Sequence, residues 1–201
     1  MTLRPEQIQA LQYAQRKGSE SSIDSIRARV GRTFADLEAL LQAVPHHLTP
    51  VRPAPSKWSV HEIVDHLVVS HRRAVIELRS LVEGQSPTSG PIPAGLVSGD
   101  AFARPWPLLV EDLEAVHRDF VEVLASANDE TSLAPRAPVV MVVQCANADG
   151  SVEPVEWVES FDWKAHAILF RAHTLEHLGQ VQRTLASLAA GESELRGSRA
   201  G

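Results

Sequence analysis

Apolar residues recurring at three- and four-residue spacing over four separate stretches constrain this chain more than any other feature. Ile23, Ile26, Val30, Phe34, Leu37, Leu40 and Leu41 draw the first stripe, and that period is what a helix needs to bury one face. The spacing predicts helix one from about Ser22 to Val44, stopped by Pro45. Val60, Ile63, Val64, Leu67, Ala74, Leu78 and Leu81 mark the second, which Ser59-Val-His-Glu62 opens as a capping box and Gly84 closes as a left-handed cap. Pro105 and Pro107 suit the first turn of the third, which continues through Leu109, Leu113, Val116, Phe120, Val123 and Leu124 to about Ala127. The fourth starts near Ser160 or Asp162 and ends at about Ala190, with Gly191 as its stop. Four such helices without a sustained heptad specify an all-α four-helix bundle.

One segment departs from this period. Val139 to Gln144 is compact and β-branched, Asp149-Gly150 is a tight-turn dipeptide, and Val152, Val155, Trp157 and Val158 follow. This predicts a short β-hairpin before the last helix, with Pro154 holding the second strand at an edge. Residues 1–21 read as a polar N-terminal arm with a short helix around Pro5 to Arg16, 22–190 as the helical domain, and 191–201 as a flexible tail. The Pro/Gly-rich stretch from Gln85 to Arg104 suits either a functional flap or a mobile connection.

Composition narrows the function by exclusion. The 201 residues carry 19 Lys plus Arg against 25 Asp plus Glu, a formal net charge of -6, and no dense basic run, which argues against nucleic acid. No stretch approaches the roughly 20 apolar residues of a membrane span, and the N-terminus lacks the apolar run of a signal peptide, so a cytoplasmic protein is expected. The single Cys145 can form neither an internal disulfide nor a thiolate zinc site alone, and it reads as a small buried apolar residue. What stands out is nine histidines, the commonest metal-ligand side chain.

His173 and His177 are one helical turn apart, so both imidazoles can converge on one ion. On the wheel of the last helix His166, His173, His177 and Thr184 flank the apolar stripe. A catalytic metal with an open position usually takes three protein ligands, and the second helix offers His61, His66 and His71 as the third. Burial favours His71, near the centre of its stripe. His66 lies on the flank, where a site opening onto a groove belongs. Position does not choose between them.

These residues resemble the DinB/YfiT-like superfamily of metal-binding four-helix proteins. The matching pieces are Trp58-Ser59-Val60-His61-Glu62-Ile63-Val64-Asp65-His66-Leu67, followed by Ser70-His71, and His173-Thr174-Leu175-Glu176-His177-Leu178-Gly179-Gln180. The order of four helices with a strand-rich excursion before the last is similar to the YfiT branch, over most of residues 22 to 190. The resemblance implies a three-histidine site of His66, His173 and His177 holding a divalent ion, zinc or nickel. It also implies a metal-dependent enzyme, a hydrolase or a thiol S-transferase, that activates water or a low-molecular-weight thiol such as bacillithiol or mycothiol. The chain departs from the YfiT-like pattern at Asp65, where a second His would precede the ligand, and at Glu176.

Other readings carry less. His173-Thr-Leu-Glu176-His177 spells the inverted zinc-peptidase motif, but that enzyme needs a further ligand well downstream and only 24 residues follow His177. A di-iron site needs Glu-x-x-His on paired helices, which the chain lacks. The alternative from another class is a non-catalytic metal or small-ligand binding module. The expected partner is a small-molecule substrate, and the arm and apolar hairpin suit a homodimer. His46, His47 and His117 are expected to be exposed, and His166 to lie either beside the site or on the helix surface.

Overall fold

The computed structural model describes residues 3–199, with side chains through Gly191. Five α-helices and one hairpin follow in the order α1 (Pro5–Glu20), α2 (Ile23–Gln42), α3 (Val60–Val82), α4 (Trp106–Ser126), β1 (Ala137–Ala146), β2 (Val152–Phe161) and α5 (Trp163–Arg199), with one turn of 3₁₀ helix at His46–Leu48. Helices α2 to α5 form the bundle. No described helix is long and apolar enough to cross a membrane.

Local chemistry sets the helix ends. The Ser59 hydroxyl accepts from Glu62 N at 3.3 Å while Glu62 Oε2 accepts from Ser59 N at 2.9 Å, which completes the predicted capping box of α3. Arg52 clamps the same carboxylate and holds its pKa down to about 2. Gly84 closes the helix at φ +85°, a left-handed conformation that a side chain resists. Asp162 opens α5 by accepting from Ala165 N at 3.0 Å.

Helix α3 is the central element. From Val60 to His71 every residue except Val69 is buried. One core cluster joins α2, α3, α4 and α5 around Phe34, Phe120, Phe170 and Trp163, with Phe120 stacked on Phe170 at 4.2 Å. A second joins Leu37, Leu67, Leu109 and Val181 at the other end.

Three elements differ from the sequence expectation. The polar arm is a full helix, α1, docked on α5 and β1 through Gln7, Ala14 and Gly18; a Cβ on Gly18 would lie 3.0 Å from the backbone N of Ala165. Helix α5 does not stop at Gly191 but runs to Arg199, because a glycine ends a helix by taking the left-handed conformation, and the described glycines that do so are Gly84 and Gly150. Residues 200 and 201 lie outside the described part of the chain. The hairpin is longer than its β-branched runs, pairing Ala137 with Phe161 through to Ala146 with Val152. Its Met141 and Phe161 pack with Ala14 of α1 and Ala165 of α5. Hairpin, α1, α3 and α5 thereby enclose a cleft of about 1510 Å³.

Candidate metal centre

Three histidines from two helices meet in this cleft. His66 comes from the second turn of α3, and His173 and His177 from adjacent turns of α5. His66 Nε2 and His177 Nε2 each lie 3.1 Å from His173 Nε2, and the three nitrogens form a compact group that could hold a metal ion. An ion about 2.0–2.1 Å from each nitrogen at tetrahedral angles would set them about 3.3 Å apart, close to the two 3.1 Å separations from His173.

The outer nitrogens are held as well. His66 Nδ1 donates to the carbonyl of Leu96 at 2.6 Å and His177 Nδ1 donates to Gln180 Oε1 at 2.7 Å. A proton on each Nδ1 leaves a lone pair on each inward Nε2. His173 Nδ1 faces His71 Nε2 at 3.4 Å. Lone pairs converging at 3.1 Å repel unless a cation or a shared proton lies among them, and one proton on His173 cannot serve two neighbours at full strength. The donor set therefore fits a divalent ion better than it fits a network of hydrogen bonds.

Burial keeps these rings neutral. It lowers the pKa of His66, and it pushes His173 well below its ordinary value with help from His177 and His66. His177 is pushed down to about 4 by burial, with His66 adding to the effect. Neutral rings present lone pairs at neutral pH with no proton to displace.

Asp65 fastens the connection between α3 and α4 over this group. Its Oδ2 accepts from Ser98 N at 2.8 Å, two residues from the Leu96 carbonyl that holds His66. Residues 96–98 of the Pro/Gly-rich stretch are thus tied to α3 beside the triad. Glu176 lies at the mouth of the cleft and pairs with Arg183 at 2.8 Å.

Comparison with known proteins places this arrangement. The family model for the DinB superfamily matches residues 29–141, more than half of the chain. The chain belongs to the DinB superfamily. The matched span contains His66 and stops before His173 and His177. Among solved structures the chain is similar to YfiT from Bacillus subtilis, described as "a probable metal-dependent hydrolase with an unusual four-helix bundle topology". The TM-score is 0.61 at 16% identity, over 83% of this chain and 87% of that one. At this identity the likeness carries the fold, a YfiT-like four-helix bundle. No curated protein matches the chain.

Several histidines of this DinB-superfamily protein stand elsewhere than the sequence suggested. His71, favoured by burial, lies behind His173 with its ring tilted against Phe170, centroids 4.0 Å apart; its Nδ1 has no partner. His117 is not exposed but 2% accessible, stacked on Phe34 at 3.8 Å, with Nδ1 donating to Glu38 Oε1 at 2.6 Å. The spacing already carried that signal, since His117 sits four after Leu113 and three before Phe120 on the apolar stripe of α4. His61 packs beside Phe102 and Trp106, away from the triad. His46 and His47 are exposed. His166 is buried and lines the cleft, as does Glu77, which the stripe of α3 did not single out.

Proposed function

We propose that this DinB-superfamily protein is a metal-dependent enzyme. It holds one divalent ion, zinc or nickel, on His66, His173 and His177, and it activates water or a low-molecular-weight thiol against a small-molecule substrate in the cleft. The observation that carries this reading is the convergence of three Nε2 atoms whose outer nitrogens are each turned to a partner. A divalent ion held by three histidines supplies a Lewis acid that lowers the pKa of a bound water or thiol toward neutrality.

The chain's own residues do the rest. Leu96 and Gln180 fix the tautomers of His66 and His177, so each ring needs no reorientation to present its lone pair. His71 stands behind His173 in the same role. Leu169, Phe170, Ile92 and Pro93 give the cleft an apolar part to its lining, which limits water there. Cys145 is buried in the hairpin, so a thiol in the reaction arrives with a cosubstrate. Three protein donors facing a cleft of this size favour catalysis over a closed structural site.

The test is metal content after extensive dialysis, followed by esterase and thiol-consumption assays on wild type and His173→Ala. One ion per wild-type chain, none in the variant, and an activity that disappears with it is the expected result. Metal retention with no activity across a broad panel would instead support a binding module, and no retention would refute both.

A further inference from the structure

The cleft has a second polar end. Glu77 and His166 both line it and are 2% and 4% accessible. Glu77 Oε2 has no hydrogen-bond partner, and Oε1 meets only a long contact of 3.5 Å from the Ser89 hydroxyl. Neither ring nitrogen of His166 has a partner, although the Ala74 carbonyl approaches the ring. Buried polar atoms without partners cost free energy and in native proteins call for a ligand, a water or a functional role. Here three of them belong to two residues that line one groove.

The helices place this end opposite the triad. Contacts between α3 and α5 run in reverse order, from His66 with His177 and His173, through His71 with Phe170, to Ala74 with His166. Ala74 is one turn before Glu77, so Glu77 and His166 share the far end. His166 precedes His173 by seven residues, about 10 Å of helix axis. Between the two ends the wall is apolar, with Ala74, Leu169 and Phe170.

We propose that Glu77 and His166 form a recognition subsite for an amino group. The carboxylate of Glu77 offers an acceptor, and a neutral imidazole offers one lone pair and one N–H. An ammonium donates to both and supplies the charge that a buried carboxylate lacks. A carboxylate or phosphate would instead bring like charge against Glu77. Arg73, the nearest cation along α3, is turned to the carbonyl of Gly90. The substrate class that follows is a molecule with its reacting group at the triad and a primary amine about 10 Å away across an apolar spacer. That class rests on the function proposed above; amine binding at Glu77 and His166 does not.

Calorimetric titration of the full chain, metal-free and zinc-loaded, with hexylamine, 1-hexanol and hexanoate tests the subsite. Hexylamine is expected to bind at least tenfold more tightly than hexanol, with hexanoate weakest. That advantage falls below twofold in Glu77→Gln, drops several-fold in His166→Gln and survives in His173→Ala. Equal binding of amine and alcohol by wild type, or an amine preference that persists in Glu77→Gln, overturns the proposal. Circular dichroism checks that Glu77→Gln folds, and if it does not, persistence in His166→Gln is the overturning result. An amine preference in a protein that retains no zinc refutes the metal-dependent function and leaves the subsite standing. Zinc retention without the preference refutes the subsite alone.

Discussion

Replacing Glu77 by glutamine is expected to stabilise the metal-free protein strongly at pH 8 and only slightly at pH 5. Burial pushes the Glu77 carboxyl up from 4.5 to about 7, against the smaller opposing effects of Arg73 and Ser89. The folded chain therefore holds this proton where the unfolded chain has released it. With more protons bound at Glu77 in the folded state between pH 4.5 and 7, the Glu77 contribution to stability falls as pH rises through that window, opposite in sign to that of the buried histidines, and the loss is complete above it. A displacement from 4.5 to about 7 is worth about 3 kcal/mol. Glutamine has nearly the same shape and no charge, so the variant escapes this loss. Its advantage should be about 3 kcal/mol at pH 8 and below about 1 kcal/mol at pH 5, which lies only just above the unfolded pKa, so that ionisation has there stabilised the unfolded chain little. Urea denaturation followed by circular dichroism reads the difference. With an m value of roughly 2 kcal/mol per molar, the midpoint moves up by about 1.5 M at pH 8 with m unchanged. The titrating histidines are common to both proteins and cancel. A variant that is no more stable at pH 8, or that gains equally at both pH values, would show that shape and not ionisation governs this position.

Asp65→Ala is expected to raise the metal dissociation constant by about 10- to 100-fold in competition with a chelating dye, because Ser98 and with it Leu96 lose their anchor to α3; an unchanged constant would sink this link. His166 and His177, both pushed down to about 4 by burial, refuse protons that the unfolded chain accepts below about 6.5. Their contribution to stability is thus present above pH 6.5 and lost as pH falls from 6.5 toward 4, and the melting temperature of metal-free protein should fall over that range; a flat profile contradicts it. Gly18→Val drives a side chain into the backbone of Ala165 and should cost about 1–3 kcal/mol, with limited proteolysis cutting first within residues 5–22. A Gly18→Val variant as resistant to the protease as wild type would refute the close docking of α1.

Features governed by neighbours along the chain were legible without coordinates. The Ser59 capping box, the left-handed Gly84 and the apolar stripes of α2 to α4 depend on spacing within a few residues, and spacing is what a sequence displays. His173 and His177 belong to the same class, being one turn apart on one helix. The third member of the group was not, since choosing among His61, His66 and His71 requires the rotation of α3 against α5. The short helix around Pro5 to Arg16 was expected, but its docking on α5 and β1 escaped because the residues it buries, Gln7, Ala14 and Gly18, are polar or small and draw no apolar stripe, although small residues are what a close helix contact needs. His117 and Glu77 lay on inner faces by spacing, and polar identity masked it. The bond from His66 to the Leu96 carbonyl joins backbone and side chain 30 residues apart, and no side-chain pattern reports it.

That same bond makes two equilibria one. The Leu96 carbonyl holds His66 in the tautomer that presents Nε2, so docking of the 85–104 connection and retention of an ion share a coupling free energy. Coupling is reciprocal: whatever factor the docked connection adds to the ion's affinity, the ion returns to the connection's docking. A molecule that enters the cleft by lifting Leu96 would therefore loosen the ion to the same extent that the ion resists its entry. Resistance to chelators then becomes a measure of how firmly this connection is latched, read without any probe on the connection itself.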